Sequence, residues 1–288
     1  MALPRISFEF FPPKTLDASF RLWETVNALA PMDPSFVSVT YGAGGTTRQL
    51  THEAVETIHK NYGLNVAAHL TCVEATKAET LAIAESYAEI GVTELVALRG
   101  DPPGGAERFA AHPDGFANSC ELIDALAATG KFKIHVGAYP DPHPEAASPT
   151  ADVDWLKRKF ESGADAAITQ FFFEPATYFR FRDACATAGI ACPIVPGVLP
   201  IENWKGVKKF AQRCGTPVPE WLDARFANAN SKAEEEDVAI ELCTELCEEL
   251  LEQGVEDLHF YTLNKPYLTQ EVCARLGVTK SAVLEKVA

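Results

Sequence analysis

Polar side chains interrupt several apolar segments of this sequence, where burial would change their chemistry. Glu9 is the clearest case, because it lies between phenylalanines in Phe8–Phe11. Removing a carboxyl group from water disfavours its charged form and raises its pKa, so Glu9 is a candidate for a neutral acid near pH 7. A carboxylate paired with a buried arginine, or capped by backbone amides, is the alternative.

Two further candidates lie in or after apolar runs. Asp101 follows Leu98-Arg99-Gly100 and precedes Pro102–Gly105, which predicts a tight loop. Its carboxylate either acts on a substrate or only makes turn hydrogen bonds. Gln170 lies within Ile168–Phe173, and a buried amide needs a partner.

Two segments have features of anion-binding sites. Gly42–Thr47 lies between a predicted strand and a predicted helix, so its backbone amides could approach an anion or a flat ring. It matches neither the Walker pattern nor the dinucleotide glycine fingerprint, and a tight turn explains it equally well. The basic run Lys157–Lys159 is either a solvated helix face or a diphosphate site.

The cysteines predict neither disulfides nor a metal centre. All eight are scattered, which suits a reduced protein. Cys243 and Cys247 are spaced i,i+4, as in the packing of one helix face, and His69–Cys72 has no second ligand pair at useful spacing.

Positioning these residues requires a regular scaffold, and the apolar runs supply one. Eight segments read as buried strands, namely Ile6–Phe11, Phe36–Tyr41, Val66–Cys72, Glu94–Arg99, Lys133–Tyr139, Ala166–Phe173, Pro193–Leu199 and Asp257–Leu263. Amphipathic stretches of helical length separate them, among them Thr47–Tyr62, Lys77–Ile90, Phe116–Thr129, Asp152–Ser162 and Ala176–Ala188. A last helix, near Tyr267–Leu276, follows the eighth strand.

Eight strand-then-helix units without a linker predict a single α/β domain over residues 1–288, a (β/α)8 TIM-type barrel. An open doubly wound sheet is the alternative. The long connection between strands seven and eight holds the acidic stretch Ala233–Gln253, which predicts an extra helix there. In such a barrel the active site lies at the carboxyl ends of the strands, where the candidates above fall.

Composition limits the partners. The chain has 288 residues, 47% of them hydrophobic, and its 25 Lys and Arg against 40 Asp and Glu give a net charge of −15. This charge repels nucleic acids and anionic lipid, so neither is an expected partner. Neither a membrane-spanning run nor a secretory signal is visible, which predicts a cytoplasmic protein.

Seven segments, in order along nearly the whole chain, resemble the bacterial methylenetetrahydrofolate reductases. They are Ile6–Lys14, Phe36–Ala43, His69–Cys72, Ala97–Asp101, Tyr139–Ala146, Ile168–Phe173 and His259–Asn264. The chain resembles the catalytic barrel of that family, without the regulatory domain that eukaryotic members add.

The resemblance implies an enzyme that binds FAD and accepts a hydride from NADH or NADPH. The hydride then reduces 5,10-methylenetetrahydrofolate to 5-methyltetrahydrofolate, or the reaction runs in reverse in the cell. The expected partners are these folates and NAD(P)H, with a homo-oligomer possible. The resemblance does not decide between NADH and NADPH.

The resemblance also assigns roles to individual residues. Glu9 matches the general acid, and Asp101 an acidic residue near both folate and flavin. The matched cofactor-binding positions are Thr40, His69, Leu98, Arg99, Gly100, Asp101, Phe116, Tyr139, His143, Asp152, Trp155, Arg158 and Lys159. The matched substrate-binding positions are Gln170, Trp204, Tyr261 and Lys265.

The sequence departs from the family pattern at three of these positions. Phe116 and Trp155 replace residues that hydrogen-bond the flavin in some relatives, which predicts weaker FAD retention, and Trp204 replaces a stacking phenylalanine. Other functions remain as alternatives: a different barrel enzyme, such as an aldolase or a zinc-dependent methyltransferase, or a non-catalytic homologue. An aldolase needs a strand-end lysine and the methyltransferase a thiolate cluster, and the sequence shows neither.

Overall fold

The computed structural model describes residues 3–41, 48–102, 109–146, 148 and 150–280. Within these ranges one sheet has all of its paired strands parallel, in the order β7-β6-β5-β4-β3-β2-β1-β9-β8. The strands are β1 (Arg5–Phe10), β2 (Phe36–Val39), β3 (Val66–Thr71), β4 (Glu94–Leu98), β5 (Lys133–Ala138), β6 (Ala166–Thr169), β7 (Ile194–Val195), β8 (Gly197–Val198) and β9 (Asp257–Tyr261).

The ring closes through the predicted seventh strand, which the structure divides into β7 and β8. Pro196 separates the two halves, and proline has no backbone N–H to donate to a ladder. β7 pairs with β6, whereas β8 pairs with β9. The predicted (β/α)8 barrel is confirmed, and the open doubly wound sheet is excluded.

At this junction, neighbouring atoms lie too close to position 197 for any residue other than glycine. A Cβ atom on Gly197 would lie 2.2 Å from the carbonyl oxygen of Thr169 and 2.5 Å from the Tyr261 ring. Strands β6 and β9 therefore approach each other across a residue that has no side chain.

Helices surround the barrel and connect its strands. They are α1 (Leu16–Leu29), α2 (Arg48–Tyr62), α3 (Lys77–Glu89), α4 (Ser119–Ala127), α5 (Ala151–Glu161), α6 (Pro175–Thr187), α7 (Trp204–Cys214), α8 (Glu220–Ala227), α9 (Lys232–Glu252) and α10 (Pro266–Arg275), with a 3-10 turn at Ala30–Met32. The predicted start of α4 at Phe116 moves to Ser119, because the Asn118 side chain accepts hydrogen bonds from the amides of Cys120 and Glu121.

The long connection holds three helices, α7 to α9, where the sequence predicted one extra. Gly215 ends α7 with a positive φ of 73°, and α8 begins directly after Pro219. A glycine with positive φ therefore ends the first of these helices, and a proline directly precedes the second.

Strands also end earlier than the apolar runs suggested. Ala166–Phe173 was expected as one strand, but β6 ends at Thr169. Residues 170–173 therefore form the loop at the carboxyl end of β6, and Gln170 lies in this loop. Among the described residues, none of the helices is both long and apolar enough to span a membrane.

Candidate active site

A cavity of about 350 Å³ opens at the carboxyl ends of β3, β4 and β5. This volume lies within the range of small-molecule and cofactor sites. Its lining residues are Tyr41, Thr71, Val73, Ala97, Leu98, Arg99, Gly100, Asp101, Asn118, Ser119, Gly137, Ala138, Tyr139, His143, Glu145, Ala146, Ala151, Asp152, Trp155 and Lys159.

The chain after β4 turns sharply at Gly100. Its φ is 89°, and a Cβ atom there would lie 2.8 Å from a methyl carbon of Val73. Glycine therefore lets this loop pack against the chain after β3. The turn places Arg99 and the exposed Asp101 at the rim of the cavity.

A half-buried cation forms part of the cavity wall. The Lys159 Nζ of α5 donates a hydrogen bond to the carbonyl oxygen of Gly137 at 2.7 Å. It forms no ion pair with a carboxylate among the described residues. Burial lowers the pKa of Lys159 to about 8. An incompletely compensated cation inside a cavity is suited to an anionic ligand.

Charged and aromatic groups cluster around this lysine. Arg99 donates to a Glu145 carboxylate oxygen at 2.6 Å, and the backbone amide of His143 donates to Asp152 at 2.9 Å. The His143 ring contacts the edge of Tyr139, with centroids 4.7 Å apart. Burial raises the pKa of Tyr139 to about 12, so its hydroxyl keeps its proton.

Glu9 projects from β1 into the barrel and contacts β3, one of the strands at the cavity. Its side chain is 14% exposed, and its Oε2 lies 3.4 Å from the Nε2 of His69 on β3. Burial raises the pKa of Glu9 to about 8. Burial, reinforced by the charge of His135, lowers the pKa of His69 to about 3. Both groups are therefore mainly neutral at pH 7, and the Glu9 carboxyl carries a proton.

This protonation makes stability depend on pH. The Glu9 pKa is about 8 in the folded chain against a reference value of 4.5, so the folded state holds the proton more tightly. The contribution is fully present below about pH 4.5 and is lost as pH rises through about 8. Relative to Glu9→Gln, the free energy of unfolding of the wild type should fall by up to about 1.4 kcal/mol per pH unit across this window.

Urea denaturation of both proteins, from about pH 5 to about pH 9, measures this difference. The comparison with Glu9→Gln cancels the titration of groups that both proteins share. A stability difference that stays constant across the window would contradict a protonated Glu9.

The predicted substrate residues lie on the opposite side of the barrel mouth. Trp204 stacks on Phe226 with centroids 5.2 Å apart, and its Nε1 donates to Asp223 at 2.8 Å. Helix α8 supplies both partners and therefore fixes the indole. Lys265 directly precedes α10, and its Nζ lies 3.7 Å from a carboxylate oxygen of Glu202.

The other two predicted substrate residues make local contacts. The Gln170 Oε1 accepts from the amide of Phe171 at 3.1 Å. The Tyr261 hydroxyl donates to the carbonyl oxygen of Thr169 at 2.6 Å. Tyr261 therefore links β9 to β6 across the glycine junction.

The structure gathers most of the predicted cofactor residues around one cavity. Those lining it are Leu98, Arg99, Gly100, Asp101, Tyr139, His143, Asp152, Trp155 and Lys159. Four others lie outside the lining. Thr40 lies at the end of β2, His69 faces Glu9, Phe116 is buried beneath Lys77, and Arg158 lies over the Trp155 ring.

Some lining residues were not among the predicted site residues. Tyr41 lies just after the end of β2, and this positional signal was available from the sequence. Asn118 and Glu145 carry no such signal, because their positions depend on how two loops fold back. Gly42–Thr47 and Pro103–Gly105 lie outside the described residues.

Comparison with known proteins decides the family. A sequence model described as "Methylenetetrahydrofolate reductase" matches residues 2–277. The 5,10-methylenetetrahydrofolate reductase of Pectobacterium carotovorum is 43% identical over 95% of this chain and 90% of its own. The protein of the same name from Escherichia coli K12 is 42% identical over the same shares.

This chain belongs to the methylenetetrahydrofolate reductase family. Membership supports reduction of methylenetetrahydrofolate to methyltetrahydrofolate as its reaction.

A solved structure agrees with the barrel fold of this reductase family member. It is a Clostridium thermocellum protein described as binding two copies of 5-methyl-5,6,7,8-tetrahydrofolic acid. It aligns with a TM-score of 0.61 over 95% of this chain and 94% of its own, at 12% identity. At that identity the similarity supports the fold alone.

Proposed function

We propose that this chain is a flavin-dependent methylenetetrahydrofolate reductase with FAD in the described cavity and Glu9 as its general acid. NADH or NADPH would reduce the flavin, and 5,10-methylenetetrahydrofolate would then be reduced at the same place, with the direction set by the supply of reductant. The observation that carries the proposal is a largely enclosed Glu9 carboxyl group, with its pKa raised to about 8, in contact with β3, whose end lines a cavity with a half-buried lysine in its wall.

The residues of the cavity suit FAD. Lys159 and Arg99 supply positive charge that suits the diphosphate of FAD. Arg158 lies next to Lys159 on α5, on the exposed face of that helix. Leu98, Ala97 and Gly137 form an apolar wall suited to a flat ring. When bound, the flavin would carry the hydride between the two substrates.

The chain's own residues supply acid catalysis. Opening the imidazolidine ring of the folate breaks a carbon–nitrogen bond, and the departing nitrogen needs a proton. Glu9 holds such a proton near pH 7 because its pKa is raised to about 8. The iminium ion left by ring opening is a cation, and Asp101 provides a nearby negative charge to stabilise it.

Substrate contacts complete the proposal. Trp204 is held rigidly by Phe226 and Asp223, so it can stack on an incoming ring at low entropic cost. Lys265 is half exposed, and can exchange Glu202 for a carboxylate of the folate tail. Gln170 offers its amide to the pterin ring from the loop after β6.

An absorbance spectrum tests the flavin assignment. The purified protein should show the yellow absorbance of oxidised flavin, which should bleach on anaerobic addition of NADH or NADPH and return on addition of methylenetetrahydrofolate. A colourless protein that remains inactive with added FAD would refute the assignment. A colourless protein that becomes active with added FAD would show weak retention, as Phe116 and Trp155 predict.

A further inference from the structure

Glu9 and His69 meet inside the barrel although their strands are not neighbours. β2 lies between β1 and β3 in the sheet, so the two side chains approach across the barrel interior. Their Oε2 and Nε2 atoms are 3.4 Å apart, and the side chains are 14% and 9% exposed. A small rotation of the carboxyl group converts this approach into a hydrogen bond.

The imidazole offers an acceptor at that point. Nε2 of His69 is buried and has no hydrogen-bond partner among the described residues. A buried polar atom without a hydrogen-bond partner lowers the stability of the fold, so a hydrogen bond from a nearby donor stabilises it. The proton of a neutral Glu9 carboxyl is such a donor.

Two neighbouring histidines, His135 and His259, surround His69 inside the barrel. His135 on β5 has its Nε2 2.6 Å from a carboxylate oxygen of Glu94, and its charge disfavours a proton on His69. His259 on β9 has its Nδ1 2.8 Å from the Ser7 hydroxyl. Each of these histidines has one ring nitrogen with a partner of its own, while His135 Nδ1 and His259 Nε2 are buried without a hydrogen-bond partner among the described residues.

Tyr261 is a further titratable group near the pair. Burial, with the charge of Glu9 second, raises the pKa of Tyr261 well above its usual value. Its hydroxyl donates to Thr169, so Tyr261 offers Glu9 no proton. Among the described residues that face the pair, His69 is the base closest to the carboxyl proton.

We propose that His69 is a positioning residue whose Nε2 accepts a hydrogen bond from the protonated Glu9 carboxyl and holds the acid in place between turnovers. The proposal rests on Glu9 being the acid of the proposed function, and it differs from the flavin-binding role that family resemblance implies for His69. When folate binds, the carboxyl turns from His69 and its proton moves to the nitrogen of the breaking carbon–nitrogen bond. The carboxylate left behind recovers a proton from solvent.

The carboxyl stretching band in the infrared spectrum tests this proposal. In the purified holoenzyme, the band of the protonated Glu9 is identified as the one missing in Glu9→Gln. His69→Phe removes the acceptor and should shift this band to higher frequency, whereas His69→Asn keeps an acceptor and should restore most of the shift. The matched control is His52→Phe, because His52 lies on α2 and stacks on Tyr87, and it should leave the band unchanged.

Two solution measurements separate this role from flavin binding. His69→Phe should leave the dissociation constant of FAD within about twofold of the wild type and slow the folate half reaction by about fivefold. An unshifted band together with a tenfold or greater loss of FAD affinity would overturn the proposal in favour of a flavin ligand. If His69→Phe does not fold, His69→Leu, which also removes the acceptor, takes its place in both measurements.

The infrared result is independent of turnover. If no band disappears in Glu9→Gln, Glu9 is not protonated and the proposal fails. If the band shifts as expected but the wild type does not reduce methylenetetrahydrofolate, the contact between Glu9 and His69 stands and the proposed function fails instead.

Discussion

Glu9→Gln should slow the folate half reaction by at least about 100-fold while leaving reduction of the flavin by NADH or NADPH nearly unchanged. The hydride step to the flavin needs no proton from the protein, whereas ring opening of the folate does. Glutamine has nearly the same size and can hydrogen-bond, but it cannot deliver a proton at neutral pH. The loss therefore reports on proton transfer rather than on packing.

Stopped-flow absorbance at the flavin band measures each half reaction separately. Glu89→Gln is the matched control, because it makes the same change at an exposed position on α3. In the wild type, the folate rate should fall as pH rises through about 8, the pKa of Glu9. If Glu9→Gln shows wild-type rates in both half reactions, Glu9 is not the acid.

Lys159→Met should raise the dissociation constant of FAD by about 10- to 100-fold, the loss typical of a hydrogen bond to a charged group. Its Nζ lies inside the cavity, bound to the carbonyl oxygen of Gly137, where water competes poorly with a diphosphate. Methionine keeps the length and the apolar stem of lysine, so the packing of α5 is retained.

Quenching of FAD fluorescence during titration of the apoprotein measures this affinity. Lys157→Met removes the same charge from an exposed position two residues earlier on α5, and should change the dissociation constant by no more than about twofold. Binding to the wild type should also weaken as pH rises through about 8, where Lys159 loses its proton. Equal losses in the two variants would mean that general charge, rather than Lys159, holds the cofactor.

Glu9 shows what the sequence predicts and what it misses. The apolar run around Glu9 predicted burial, and the side chain is largely enclosed, with 14% of it exposed. The phenylalanines are not its surroundings, however, because neighbouring residues on a strand face opposite sides of the sheet. Phe8 and Phe10 pack outward into the core beneath the helices, and Glu9 points inward to His69. Which side chains meet inside the ring depends on closure of the barrel.

Residues at strand ends were predictable, but residues brought in by loops were not. Leu98–Asp101 and Tyr139 follow directly from the position of β4 and β5. By contrast, Glu145 reaches Arg99 from 46 positions along the chain, through the path of the loop after β5. The partners of Trp204 likewise depend on α8, whose start after Pro219 separates it from α7.

Because the seventh strand is divided, the pairing between strands is longer on one side of the barrel than on the other. Ala67–Thr71 pairs with Glu94–Leu98 along five consecutive residues beneath the cavity, whereas β7 and β8 contribute two residues each. In the proposed function, a cofactor that stays through many turnovers would lie on the firmly paired arc. Substrates contacting Gln170 and Tyr261 would lie beside the weakly paired arc, which opens at lower free energy and could adapt as ligands of different shape exchange.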